Sequence, residues 1–112
     1  MPILSECENE DLSHEEKRNC TQEKINNFIK KNLIYPIEAK KNGVRGSGVG
    51  SFIVFKDGTI DEIKVTRSLG FGCDEEILRL INQLKEEKNW IPARFHGKTV
   101  SVQYNQVIKF SF

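Results

Sequence analysis

Trp90-Ile91-Pro92-Ala93-Arg94-Phe95-His96-Gly97-Lys98-Thr99-Val100 leads into a long alternating segment that closes the chain. Val100, Val102, Tyr104, Ile108, Phe110 and Phe112 fall on one side of it, and Ser101, Gln103, Asn105 and Lys109 on the other. A period of two marks a strand with one face on a core. The Trp-x-Pro corner and the Gly97-Lys98 turn set its start, so a strand from about Lys98 to Phe112 is expected. A closing strand at a sheet edge exposes unpaired N–H and C=O groups to which a partner's strand can add. The pattern points to main-chain recognition and away from bond-breaking.

The 112 residues allow one domain with one modest core. Apolar residues at 38% and charged residues at 29% suit a soluble globular chain and argue against disorder. No apolar run is long enough to span a bilayer. Met1-Pro2-Ile3-Leu4-Ser5-Glu6 has neither the basic nor the apolar region of a signal peptide. An excised domain is therefore expected, with any targeting segment outside this chain.

The net charge of +1 is unevenly placed. Glu6, Glu8, Glu10, Asp11, Glu15 and Glu16 against Lys17 and Arg18 give residues 1–20 a net of −4, leaving +5 for the rest. Either two solvated faces or an acidic arm lying on a basic body would follow. The lysines are scattered and not interleaved with aromatics, so nucleic acid is not an expected partner. Cys7, Cys20 and Cys73 make no CxxC pair, and His14 and His96 complete no zinc set, so neither metal nor cofactor is expected. Cys7 and Cys20 bracket a short polar segment, as a stapled loop in an oxidising compartment would, or as two free thiols elsewhere. Cys73 precedes a helix start, where a thiol pKa can be lowered, though a half-buried cysteine is the plainer reading.

Along the chain, Ser13-His14-Glu15-Glu16 has the form of a capping box for a short helix through about Arg18. Thr21 would cap a second helix, with Ile25, Phe28 and Ile29 as its stripe, ending near Asn32 before Tyr35-Pro36. Pro36 opens a short helix at its first position, with Ile37 and Ala39 inward and Gly43 as the stop. Gly46 to Phe55 reads as a strand, Asp57-Gly58 as a hairpin turn, and Thr59 to about Ser68 as the return. Val49, Ile53 and Phe55 point one way and Phe52 and Val54 the other, so the N-terminal arm or a partner should cover the second face. Asp74 caps a helix whose stripe is Ile77, Leu78, Ile81 and Leu84. The order gives an α+β fold: two layers, a three-stranded antiparallel sheet packed on helices.

Taken in order, Tyr35-Pro36-x-x-Ala39, Gly43-x-x-Gly46, Phe52-x-Val54-x-x-Asp57-Gly58, Val65-x-x-Ser68, Asp74-Glu75-Glu76, Trp90-x-Pro92-Ala93 and Gly97-Lys98 resemble the TonB C-terminal domain. The resemblance covers about Asn32 to Phe112, and the acidic, Cys-flanked lead-in resembles transducers of the Bacteroidetes type. It implies the helices-on-sheet fold and the periplasmic end of an inner-membrane-anchored energy transducer. The implied partners are the TonB box of outer-membrane transporters and, through an upstream region, inner-membrane proton-channel proteins. The TonB box would add beside the last strand, from Val100 to Phe110, with Asn32, Leu33 and Ile34 as a second contact. Periplasmic location favours a Cys7–Cys20 bridge. The expected organisation is an acidic arm over residues 1–20 and a TonB-like domain over 21–112.

This chain departs from the family at Gly48 and Gly50, which stand where β-branched residues are usual. Such a strand should be weak or closely approached. Gln106 and Val107 stand where relatives often carry an apolar residue and proline. A restored N–H there lengthens the usable edge or promotes self-pairing, so a homodimer is one expected state. The rival classes are an enzyme using Cys73 with His14 or His96 as base, and a TolA-like or signalling-fused envelope domain. No Gly-rich phosphate loop supports the first, and the Tyr-Pro and Trp-x-Pro landmarks weigh against the second.

Overall fold

The computed structural model describes residues 2–110, so Phe112 of the alternating segment lies outside it. A short strand β1 (Ile3–Leu4) precedes helix α1 (His14–Asn32) and helix α2 (Ile37–Lys41). Strands β2 (Gly46–Val54) and β3 (Ile60–Arg67) come next, then helix α3 (Cys73–Glu87). Strands β4 (Trp90–Ile91), β5 (Ala93–Phe95), β6 (Lys98–Val100) and β7 (Val102–Phe110) follow. The main sheet has order β3-β2-β7, antiparallel throughout, while β1–β4 and β5–β6 form two-stranded ladders beside it. The α+β, two-layer arrangement read from the sequence is the one observed.

Both halves of the Ser13 capping box are made: Glu16 N–H donates to Ser13 Oγ at 3.1 Å, and Ser13 N–H to Glu16 Oε1 at 3.2 Å. The helix does not stop at Arg18. It runs unbroken for 19 residues, because no Gly or Pro interrupts it and each further residue adds one main-chain bond. Thr21 is therefore mid-helix, and its buried hydroxyl accepts from Leu4 N–H at 3.1 Å instead of capping. Cys7 and Cys20 are bridged, Cα–Cα 5.8 Å, so arm and helix are stapled together. The arm does not cover the second sheet face; it pairs Ile3 with Ile91 and Leu4 with Trp90. Its ion pair with the basic body among the described residues is Glu6–Lys88 at 3.2 Å.

Three further expectations are corrected. Pro36 is the N-cap of α2, not its first residue, and Ile37 is 74% exposed while Ala39 is buried. Residues two apart sit about 200° apart on a helix, so the two cannot share an inward face. The residue before α3 is Gly72 at φ +85°, and Asp74 lies inside the first turn. Its carboxylate accepts from Leu69 N–H and the Ser68 hydroxyl, tying down the preceding loop. The buried stripe is Cys73, Glu76, Ile77, Leu80, Ile81 and Leu84, with Leu78 rotated to the side. The closing strand is also divided. His96 and Gly97, both at positive φ, form the turn between β5 and β6, and β7 begins only after Ser101.

Gly48 and Gly50 are explained by α3. A Cβ at Gly50 would lie 2.2 Å from Ile81 Cδ1, and one at Gly48 would lie 2.5 Å from Ile77 Cδ1. The missing side chains let α3 settle onto the sheet, and Ile77 and Ile81 fill the space. Phe52, Val54, Tyr104, Ile108 and Phe110 complete this layer with Ile25 and Phe28 of α1, so both long helices share one face of the sheet. On the other face Val49 and Ile53 are half-buried and Val107 is 55% exposed.

Gly50→Ala should destabilise the domain by about 1–3 kcal/mol through overpacking, despite alanine's lower backbone entropy cost. A denaturant midpoint measures it, and adding Ile81→Val should recover part of the loss. Reducing the Cys7–Cys20 bridge, which spans 13 residues, should lower stability by about 3 kcal/mol. Unchanged melting with and without reductant would refute that.

Candidate partner-binding edge

The sheet has two edges, and they differ. β3 carries two register shifts against β2, places Glu62 at φ +52°, and exposes Asp61, Glu62, Lys64, Thr66 and Arg67. Bulges and charges of this kind discourage further pairing. β7 pairs with β2 through nine consecutive positions, Gly46↔Phe110 to Val54↔Val102, with no irregularity. Its side chains alternate as read from the sequence. Tyr104, Gln106, Ile108 and Phe110 are buried, and Gln103, Asn105, Val107 and Lys109 exposed.

The orientation of the main chain follows from two hydrogen bonds. Phe55 N–H donates to the Thr59 carbonyl at 2.8 Å, and the Val49 carbonyl accepts from the Thr66 hydroxyl at 3.4 Å. Odd-numbered residues of β2 thus turn their polar groups toward β3, and even-numbered ones toward β7. In this register the even-numbered residues of β7 face β2. Gln103, Asn105, Val107 and Lys109 direct N–H and C=O to the open edge. Consistent with this, the Val107 carbonyl accepts from the Gln106 side chain at 2.9 Å.

Val100 and Ser101 lie outside this ladder. Val100 pairs with Ala93 in the small hairpin, and the Ser101 hydroxyl accepts from Lys56 N–H at 3.1 Å. Val102 starts the strand proper. A cleft of about 680 Å³ runs between β7 and α1, bounded by Gln22, Asn26 and Lys30 on the helix and Val107 and Lys109 on the strand. Nothing in the period-two pattern indicates this helical wall, since Gln22 and Asn26 read as ordinary solvated positions.

Asn32, Leu33 and Ile34 form the end of α1 and its exit, with much of their backbone engaged. Ile34 N–H donates to Glu76 Oε2 at 2.6 Å, and the Asn32 carbonyl accepts from Arg79 at 2.8 Å. Arg79 also binds Glu76 through two nitrogens at 2.6 and 2.7 Å, and this contact raises its pKa further. What the segment presents outward is the Ile34 side chain, 63% exposed.

The remaining motif residues shape corners. The Tyr35 hydroxyl donates to the Val44 carbonyl, its ring packs edge-on to Phe110 at 5.8 Å, and Pro36 abuts Gly72. Gly46, at φ +139°, opens β2 opposite Phe110. Asp57 accepts from Thr59 N–H at 3.0 Å and the Thr59 hydroxyl at 2.6 Å, which lowers its pKa. Gly58, at φ +86°, lies where a Cβ would come 2.7 Å from the Trp90 carbonyl, with Pro92 beyond. Cys73 is buried, and burial first, then the adjacent acids, pushes its thiol pKa up, not down. His14 and His96 are exposed, at the start of α1 and the tip of the β5–β6 hairpin. The arrangement has the features of a surface for main-chain pairing. The described residues hold no cluster of ligands suited to a metal ion.

Two solved structures share the architecture, both of the Helicobacter pylori TonB C-terminal domain. One, of residues 179–285, is 22% identical with TM-score 0.59, covering 98% of this chain and 96% of that one. The other, of residues 194–285, is 23% identical with TM-score 0.54, covering 80% and 90%. No curated protein matches the chain significantly. Residues 31–112 match the family described as Gram-negative bacterial TonB protein C-terminal. The chain therefore belongs to the TonB C-terminal domain family.

Proposed function

We propose that this domain is the periplasmic end of an energy transducer and grips the TonB box of outer-membrane transporters by strand addition to β7. The family match supports the transducer role at the level of the domain. No helix among the described residues is long and apolar enough to cross a membrane, so in this reading the inner-membrane anchor and the contact with proton-channel proteins lie upstream. The observation that carries the strand-addition reading is the contrast between the edges: β3 is bulged and charged, whereas β7 is nine residues long and regular. Main-chain pairing suits a puller. Each hydrogen bond contributes only about 0.5–1.5 kcal/mol net, but bonds in parallel share the load and tolerate varied side chains.

Titrating the domain with a TonB-box peptide from a transporter of the same organism, read by amide chemical shifts, should give saturable changes centred on Val102–Phe110. No change at millimolar peptide would sink the reading and leave self-pairing of β7 into a homodimer as its replacement. Asn105→Pro removes an outward N–H, so the domain should stay folded while peptide affinity drops roughly tenfold. Cys73→Ala should leave peptide affinity unchanged. Loss of affinity without loss of folding would point back to chemistry at the thiol.

A further inference from the structure

We infer that α1 is a second wall of the β7 site, and that Asn26 and Lys30 select a bound segment carrying a carboxylate side chain toward the helix. The inference rests on the strand-addition reading of β7 and adds to it the class of side chain that the groove accepts.

Gln22, Asn26 and Lys30 recur every four residues, so they form one stripe along α1. All three line the cleft beside β7, with Ile29 and Leu33 supplying apolar surface between them. The stripe is held in a fixed orientation. The Tyr104 hydroxyl donates to Gln22 Oε1 at 3.0 Å, leaving Gln22 Nε2 to donate to Asn26 Oδ1 at 3.1 Å and Gln106 Oε1 at 3.3 Å. Gln106 Nε2 also points at Asn26 Oδ1, at 3.4 Å. With two donors converging on its oxygen, Asn26 presents its amide N–H groups to the cleft, and these have no acceptor among the described residues. Lys30 adds an ammonium group, and no Asp or Glu among the described residues lines the cleft.

A strand seated on β7 sends its alternate side chains to opposite faces, so one set meets α1. Facing that set are hydrogen-bond donors and positive charge, the complement of Asp or Glu. Residues 14–30 of α1 precede the family match at residue 31, so this wall is a feature of the chain beyond the matched segment.

The test uses two capped nonapeptides of alternating Val and Thr, one with a central Glu and the other with Gln there, titrated into the disulfide-intact domain. The Glu peptide should bind roughly fivefold tighter at low salt, with shifts at α1 amides 22–30 as well as β7. That preference should fade toward about 1 M salt. Lys30→Gln should abolish it without altering the thermal midpoint, since that side chain is exposed. Equal affinity for the two peptides, with shifts confined to β7, would overturn the α1 wall and leave strand addition standing. Absence of shifts at β7 with either peptide would overturn both.

Discussion

Trp90 joins the parts of this domain. Its ring packs on Phe52 of β2 at 5.6 Å and on Tyr104 of β7 at 5.3 Å, and those two stack on each other at 5.3 Å. Its backbone pairs with Leu4 of the arm, and its carbonyl lies so close to Gly58 that no Cβ fits there. Aromatic contacts of this geometry add about 0.5–1.5 kcal/mol each beyond the area they bury. They also fix position. The central strand, the closing strand, the Asp57-Gly58 turn and the stapled arm all meet at one indole. The Pro92 corner follows immediately, turning the chain into the hairpin that delivers β7 to its place.

That placement determines what the surface can do. With α1 and α3 on one face and β2 in the middle, the sheet must end in two edges, and the sequence of each edge sets its fate. The bulges of β3 twist its polar groups out of register with any incoming strand. β7 keeps an unbroken ladder on its inner side, which holds its outer row of Gln103, Asn105, Val107 and Lys109 in straight register. Under tension a load on that row passes into β2 through the paired positions, and from there into the layer formed by Ile77, Ile81 and the aromatic cluster. The glycines at 48 and 50 belong to this path: by letting α3 sit close, they back the centre of the sheet with helix instead of solvent.

Much of this was legible in the sequence because it depends on local periodicity. The alternation from Val102 to Phe110 identified the inward face of β7, and Asp57-Gly58 located the hairpin. The ordered landmarks from Tyr35 to Lys98 pointed to the family. What depends on distant contacts was not legible. Thr21 looks like a helix cap until Leu4 is seen to use its hydroxyl. Asp74 looks like another until Leu69 and Ser68 are seen to bind it. The two glycines signalled a close approach, but only the fold shows that Ile77 and Ile81 make it. The α1 side of the cleft is written in Gln22, Asn26 and Lys30, whose polarity gives no hint that Tyr104 and Gln106 lie across from them.

Hydrogen exchange along β7, measured with and without a bound TonB-box peptide, tests the open edge most directly. In the free domain the amides of Tyr104, Gln106 and Ile108 should be protected by β2, while those of Gln103, Asn105, Val107 and Lys109 exchange quickly. Peptide at saturation should slow the second set and leave the first unchanged. Protection of the odd-numbered amides in the free domain, or none at saturation, would contradict a site built from the outer edge of β7.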